Sequence, residues 1–502
     1  MAASKAQTAW SVETSYPRPQ ARGRNVLSVL FALALGATLG YAVFFLSAPI
    51  AQTDRAGREH RNVYLVALGI VGFAQAVLSY RRETKQAEDR ALVWLALLLP
   101  VYAAFQLLPL PVSVLRILSP GRAELLDALA PLSLRPDWAS LSVAPALTFE
   151  HFLLFSAYAA VFLAIRGVAR SSRDMPWLPV LPVLAIAVWQ AGWGVSQFFG
   201  GGDEAFAHGT FPIRNHFAGF LEMALPFPIA YGAVALGKKS WNRGISASSA
   251  FRAGVGFMAA ALIFTGILCS LSRMGLAASV GSLVLMAALA LTGKFKARTV
   301  WTTVVLLILI LVIGLALLAP AQMILRFSDL SSEDRFNVWH DTLRLIDAYP
   351  LFGCGLGGYV AAFERFKTSA FDLVQDYAHN DYLQYLAELG AAGFLIGVVF
   401  LKLIAFRTIR AGVLHRDPDS RWLALACAGS LAAILVHSLA DFNLYVVANA
   451  MLLAWVCGLA GGIAEAGEVS IYQRPTLFPS LHRRKEGRAA LAKNFAKPPK
   501  ST

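Results

Sequence analysis

The sequence predicts an all-α, polytopic membrane protein, and three observations lead there. Hydrophobic residues make up 57% of the 502 and charged residues 15%, against roughly 25% charge in a soluble globular domain. The apolar residues gather in runs of about 18 to 25, the length an α-helix needs to cross hydrocarbon. These are not the short alternating segments of a barrel, and helices satisfy their own backbone hydrogen bonds inside each segment.

Twelve spans are expected, at residues 26–48, 62–80, 91–108, 147–165, 178–199, 213–236, 254–271, 274–291, 300–319, 382–400, 422–439 and 445–463. They divide the chain into an N-terminal arm (1–25), a membrane domain of nine spans (26–319), a large polar loop (320–380), a membrane domain of three spans (381–463) and a basic tail (464–502). With the N-terminus inside, most of the 44 Lys and Arg fall on the inner side, as the positive-inside rule requires. The arm carries Lys5, Arg18, Arg22 and Arg24, and the tail carries Arg483, Arg484 and Lys485. Both termini are therefore expected in the cytoplasm, with the loops 109–146 and 320–380 outside. One loop opposes this assignment: it holds Arg55, Arg58 and Arg61, offset in part by Asp54 and Glu59. A polar arm of this length also fits a cleaved signal peptide badly.

The net charge of +14 raises the question of nucleic acid, which needs a basic face interleaved with aromatics on a folded domain. Here the excess is spread over inner loops and the tail, where topology and anionic lipid account for it. The sequence therefore predicts membrane lipid, and no nucleic acid, as a partner. Cys269, Cys354, Cys427 and Cys457 lack the paired spacing of a disulfide framework or a zinc site.

The outer loops have readable structure. Proline-rich flanks in 109–146 predict a short surface helix around 122–129. In the large loop, Ser331-Ser332-Glu333-Asp334 is a helix start with acids in its first turn. Phe336, Trp339, Leu343 and Ile346 follow at steps of three or four, and Pro350 ends the run. The spacing predicts an amphipathic helix lying on the membrane or on the bundle. Gly353-Cys354-Gly355-Leu356-Gly357-Gly358 has the composition of a phosphate loop, but no strand precedes it and it lies outside. It is read as a tight turn with close backbone packing.

Three polar groups stand at the outer interface. Arg214 and Asn215 open the sixth span, Arg273 occupies the short turn Ser272-Arg273-Met274-Gly275, and His379 ends the large loop. An arginine at a span end can snorkel to the headgroups. Two of them on the side that topology disfavours, with no acid beside either, instead suit the phosphate oxygens of a lipid diphosphate. A histidine at a helix N-terminus meets the positive end of the dipole, which favours a neutral ring able to act as a base. Asn380 or Asp381 can cap that helix. Glu388, four residues past Gln384 in the tenth span, is an intramembrane carboxylate and by default suggests function. Glu222, His437 and Asp441 carry the same flag more weakly, since His437 and Asp441 at i, i+4 can pair with each other.

The run AHNDYLQYLAELG (378–390), RFNVWHDTLRLIDAYPLFGCGLGGY (335–359), the GTFPIRNHFAGF segment around Arg214 and the LSRMG turn around Arg273 together resemble the O-antigen ligase and polymerase superfamily of bacterial membrane glycosyltransferases. The resemblance implies a GT-C-like fold in the bacterial inner membrane, with the active site facing the periplasm. It further implies a metal-independent, inverting glycosyltransferase without a cofactor, which passes a glycan from a polyprenyl diphosphate carrier to an acceptor hydroxyl. By matching motifs, Arg214 and Arg273 would hold the diphosphate and His379 would act on the hydroxyl. Arg335 and Arg344 would assist, and Asn215, Asn380, Asp381 and Glu388 would contribute to substrate binding. Acceptors in the superfamily include lipid A-core, a lipid-linked glycan and protein hydroxyls, and the absence of a large further outer domain disfavours the last. Relatives often have a smaller residue where this chain has Met274, so helix packing is expected to differ there.

The alternative is a twelve-span flippase or transporter of lipid-linked glycans. Many such transporters are built from repeated halves, and no internal repeat is found. A flippase also needs charge spread through a central cavity, whereas here it concentrates at the outer interface.

Overall fold

The structure is a computed structural model that describes residues 21–47, 61–68, 87–129, 131, 136–200, 206–237, 245–292, 333–368 and 374–472. It is all-α apart from one small ribbon. The first helices are α1 (Ala21–Phe45) and α2 (Ala87–Leu107). The loop that follows holds β1 (Pro109–Pro111), α3 (Val112–Leu118), α4 (Pro120–Ala128) and β2 (Trp138–Ser140). Then come α5 (Pro145–Ser171), α6 (Leu181–Phe199), α7 (Arg214–Ala224), α8 (Pro226–Gly237), α9 (Ala247–Cys269) and α10 (Arg273–Leu291). The large loop contains α11 (Glu333–Ala348) and α12 (Tyr359–Phe363), and α13 (Asp381–Leu414), α14 (Pro418–His437) and α15 (Val447–Tyr472) complete the chain.

Among the described residues, eight helical stretches are long and apolar enough to cross a membrane, and Val29–Phe45 and Val447–Ile463 are shorter apolar helices. These coincide with ten of the twelve expected spans. The ninth, 300–319, lies outside the described residues, as does most of the second. The sixth expected span is two helices end to end, α7 and α8, meeting at Pro226, which cannot donate to the preceding turn.

Helices pack closely where side chains are small. Gly458 and Gly462 of α15 face α5, and a Cβ on Gly462 would come within 2.6 Å of the Ala169 Cβ. Such small-xxx-small faces let backbones approach in a membrane, where dispersion does the work of the hydrophobic effect. Arg61, which weighed against the expected orientation, is 2% exposed and ion-paired with Glu150 on α5 at 2.5 Å.

The described parts of the 109–146 and 320–380 segments form a cap. The 109–146 segment contributes two helices, where one was expected, and the antiparallel β1–β2 pair with Leu110 opposite Ala139. The glycine turn is tight, as read: Gly353, Gly355 and Gly357 all take positive φ. It docks into a break in α13, where Gly390 has φ 62 and ψ −177. Cys354 N donates to Ala387 O (2.9 Å), Gly355 N to Glu388 O (3.0 Å) and Ala391 N to Pro350 O (2.8 Å). The turn thus satisfies backbone groups that the break sets free, which is how irregular backbone survives at a membrane.

Helix α11 lies on the bundle by a different face from the apolar stripe. Asp341, Thr342 and Leu345 are buried, whereas Phe336 is 60% and Leu343 50% exposed. The reason is polar: the Asp341 carboxylate accepts from Thr368 N at 2.7 Å and from its hydroxyl, and Thr342 pairs with the Tyr359 hydroxyl at 2.8 Å.

Candidate functional site

Arg214 and Arg273 are each positioned by the local structure around them. The loop before Arg214 is clamped by glutamines of α6. Gln190 donates to the Thr210 hydroxyl (2.7 Å), and Gln197 bonds Gly209 through both its N–H and its carbonyl. Thr210 also donates to Val43 O at the end of α1 (3.0 Å). Arg214 then opens α7 with its guanidinium 4.9 Å above the Phe206 ring, a cation–π contact. Phe206 in turn packs with Leu271 and Leu276, either side of Arg273.

Arg273 opens α10. Ser272 caps the helix, accepting from Gly275 N at 3.2 Å, and Leu271 before it sits at φ 54. Left-handed backbone in a leucine is held only by its surroundings. Gly275 lies against Ala218 of α7, so the starts of α7 and α10 stand side by side, and Met274 is accommodated half-buried beside that contact. A cation at a helix N-terminus is disfavoured by about 0.3–1 kcal/mol. Two half-buried guanidiniums at two neighbouring N-termini therefore concentrate positive potential, a setting that anions favour.

His379 ends the large loop with φ 51, again left-handed. Asn380 caps α13, its Oδ1 accepting from Tyr382 N (3.0 Å) and Leu383 N (3.1 Å). Trp339 of α11 donates to Ala378 O at 2.9 Å, holding the preceding residue. The His379 ring lies edge-on to Phe442 with centroids 4.9 Å apart.

The turn after α14 joins these parts. Asp441 is 2% exposed, and its Oδ2 accepts from Asn215 Nδ2 at 2.7 Å. Its Oδ1 accepts from Phe442 N at 2.9 Å and faces His216 Nε2 at 3.7 Å and His379 Nδ1 at 3.9 Å. Burial opposes ionisation of this carboxyl, but the surrounding imidazoles of His216, His379 and His437 outweigh it and hold Asp441 well below the usual carboxylate range. Arg335 donates to Ala440 O at 3.0 Å, bringing α11 onto the same turn. Asp441 is the residue the sequence undervalued: it lies 62 residues from His379 and 226 from Asn215, and no local pattern links them.

Other expected residues divide. Asp381 is buried at the head of α13, taking the Ser438 hydroxyl at 2.7 Å and Leu444 N at 3.2 Å, so it holds the turn. Glu388 pins the glycine turn, accepting from Gly357 N (2.6 Å), Tyr359 N (3.2 Å) and the Tyr445 hydroxyl (2.7 Å). Arg344 is 51% exposed and faces Asp341 of its own helix at 4.0 Å, away from Asp441. His437 and Asp441 do not pair: His437 Nδ1 meets Glu222 at 2.9 Å in the bundle. A one-turn spacing puts two residues on one helical face only if the helix continues, and α14 ends at His437.

The four cysteines are buried free thiols. Comparison with curated proteins gives no match. The family model described as O-antigen ligase matches residues 258–398, a segment that contains Arg273, Arg335 and His379 but neither Arg214 nor Asp441. Over that segment, less than a third of the chain, the protein is similar to the O-antigen ligase family.

Proposed function

We propose that this protein is an inverting glycosyltransferase that moves a glycan from a polyprenyl diphosphate carrier to an acceptor hydroxyl at the periplasmic face of the bacterial inner membrane. It would act as a ligase or polymerase in cell-surface polysaccharide biosynthesis. The family match supports the ligase- or polymerase-type activity. The observation that carries the mechanism is the convergence on Asp441 of Asn215, His216 and His379, beside the paired starts of α7 and α10.

In this reading Arg214 and Arg273 bind the diphosphate and stabilise the charge that develops on it as it leaves. His379 takes the proton of the acceptor hydroxyl while the hydroxyl oxygen bonds to the anomeric carbon. The bond from that carbon to the diphosphate oxygen breaks on the opposite face, and its electron pair leaves with the diphosphate. Asp441 orients the His379 ring. Their 3.9 Å separation is longer than a hydrogen bond, and catalytic contacts of this kind tighten when substrate is bound. Arg335 steadies the turn, whereas Arg344, Asp381 and Glu388 support the fold around it.

The test supplies the purified protein with polyprenyl-diphosphate glycan and with candidate acceptors separately. His379→Ala and Arg273→Ala are expected to abolish transfer and leave folding intact, and wild-type transfer by both variants would sink the mechanism. Chain growth without added lipid A-core indicates a polymerase, and growth only in its presence indicates a ligase.

A further inference from the structure

The loop that leads into α7 carries a further nitrogen base beside the two arginines. His208 is half-buried, and its chain neighbours Ala207 and Gly209 are both buried. Ala207 N donates to Cys269 O at 2.8 Å, which ties the loop to the last residue of α9, just ahead of Arg273. Gln197 of α6 holds the next two links, its Oε1 accepting from His208 N at 3.2 Å and from Gly209 N at 2.8 Å. Gly209 takes φ 59, and an added Cβ would come within 2.8 Å of the Phe217 ring. The backbone of His208 is therefore held on both sides, along a path that needs glycine next to it.

The ring is held as well. Its Nδ1 lies 2.8 Å from Phe211 O. A carbonyl oxygen only accepts, so Nδ1 carries the hydrogen, and Nε2 is the nitrogen left to gain or lose a proton. The imidazole stands edge-on to Phe206 with centroids 6.3 Å apart, and the Arg214 guanidinium lies over that same phenyl ring at 4.9 Å. Phe206 packs in turn against Leu271 and Leu276, on either side of Arg273. One phenyl ring is thus the common neighbour of His208, of Arg214 and of the turn that carries Arg273.

Protonation of His208 adds an N–H at Nε2 while Nδ1–H stays on Phe211 O, so the cation forms without the ring turning. A side chain already held in one orientation gives up little freedom when it binds. A diphosphate presents non-bridging oxygens on two phosphates, and a third charged donor beside two guanidinium forks adds a contact that a single phosphate does not need.

We infer that His208 is a third ligand of the donor's diphosphate, giving its Nε2–H to a phosphate oxygen beside Arg214 and Arg273. The inference rests on the glycosyl-transfer reading above for the identity of the anion.

The experiment measures binding of farnesyl diphosphate, and of farnesol as its phosphate-free control, to full-length protein in detergent micelles. His208→Asn puts an amide nitrogen near the Nδ1 position, so it keeps the bond to Phe211 O and has nothing at Nε2; His208→Gln puts one near Nε2 instead. His208→Asn is expected to weaken farnesyl diphosphate binding about tenfold, with farnesol binding and the unfolding midpoint unchanged, and His208→Gln to keep affinity nearer wild type. Wild-type affinity for the diphosphate in His208→Asn would mean that the ring serves only the loop, and would overturn the inference. Equal weakening of diphosphate and farnesol binding would do the same, as would a loss that tracks a lowered unfolding midpoint and is not relieved in His208→Gln. If wild-type protein binds farnesyl diphosphate no better than farnesol, the inference falls. If it binds the diphosphate but transfers no glycan, the reaction reading fails, and the two variants still decide the role of His208.

Discussion

At the scale of single residues, the site turns on side chains held in unusual settings. His379 has left-handed backbone, a region uncommon for residues other than glycine, though less so for histidine and asparagine than for most. Asparagine tolerates that region well, so His379→Asn should keep the thermal unfolding midpoint within a few degrees of wild type while abolishing transfer. Asp441→Asn keeps the shape of the hub but removes its charge. By analogy with other carboxylates that orient a catalytic imidazole, transfer should fall by about 10²- to 10⁴-fold. Because Asp441 is held well below its ordinary value of 3.8, its contribution to stability is fully present above that value and is lost only as pH falls through its lower folded pKa. The difference in unfolding midpoint between wild type and Asp441→Asn should therefore persist as pH falls from about 5 to 4 and be lost only on further acidification, and a marked narrowing between about pH 5 and 4 would contradict the assignment. His379, Arg214 and Arg273 were legible in the sequence because each stands at the edge of an apolar run. Asp441 was not, because its importance lies in Asn215 and His379, which only folding brings to it.

At the scale of elements, the glycine turn and the break in α13 make one device. Gly355 has φ 102, and an added Cβ would collide with Ser142. Gly355→Ala combines left-handed strain with overpacking and should cost about 1–3 kcal/mol, read as a lowered midpoint in detergent unfolding. Removing the cap of α13 with Asn380→Ala should cost about 1 kcal/mol and also loosen His379, so that activity falls more than stability. The sequence showed that these glycines made a turn rather than a nucleotide loop, since no strand preceded them. It did not show what they turned against, because Gly390, the break that receives them, sits inside an apolar run that reads as continuous helix. The amphipathic helix of the large loop was likewise visible in its length and end points. Which face docks was not legible: Asp341 and Thr342, polar residues, find polar partners in the cap and are buried in preference to Phe336 and Leu343.

At the scale of the whole molecule, the prediction concerns sidedness. His340 is 72% exposed on α11, and Arg416 is exposed in the connection between α13 and α14, at the far end of α13. All four native cysteines are buried, so His340→Cys and Arg416→Cys give clean single labels. An impermeant maleimide added to intact spheroplasts should modify the first and spare the second. The opposite pattern would invert the expected topology. The sequence by itself determined the fold class, the places of most spans and the charged residues at their ends, because hydrocarbon imposes length and apolarity on each helix separately. Only the tertiary structure decided which of those residues meet. The Asp441 hub, the insertion of the glycine turn at Gly390 and the pairing of Arg61 with Glu150 all join segments far apart in the chain. Contacts of that kind are set by packing and by the need of buried polar groups for partners, and neither leaves a periodic trace in sequence.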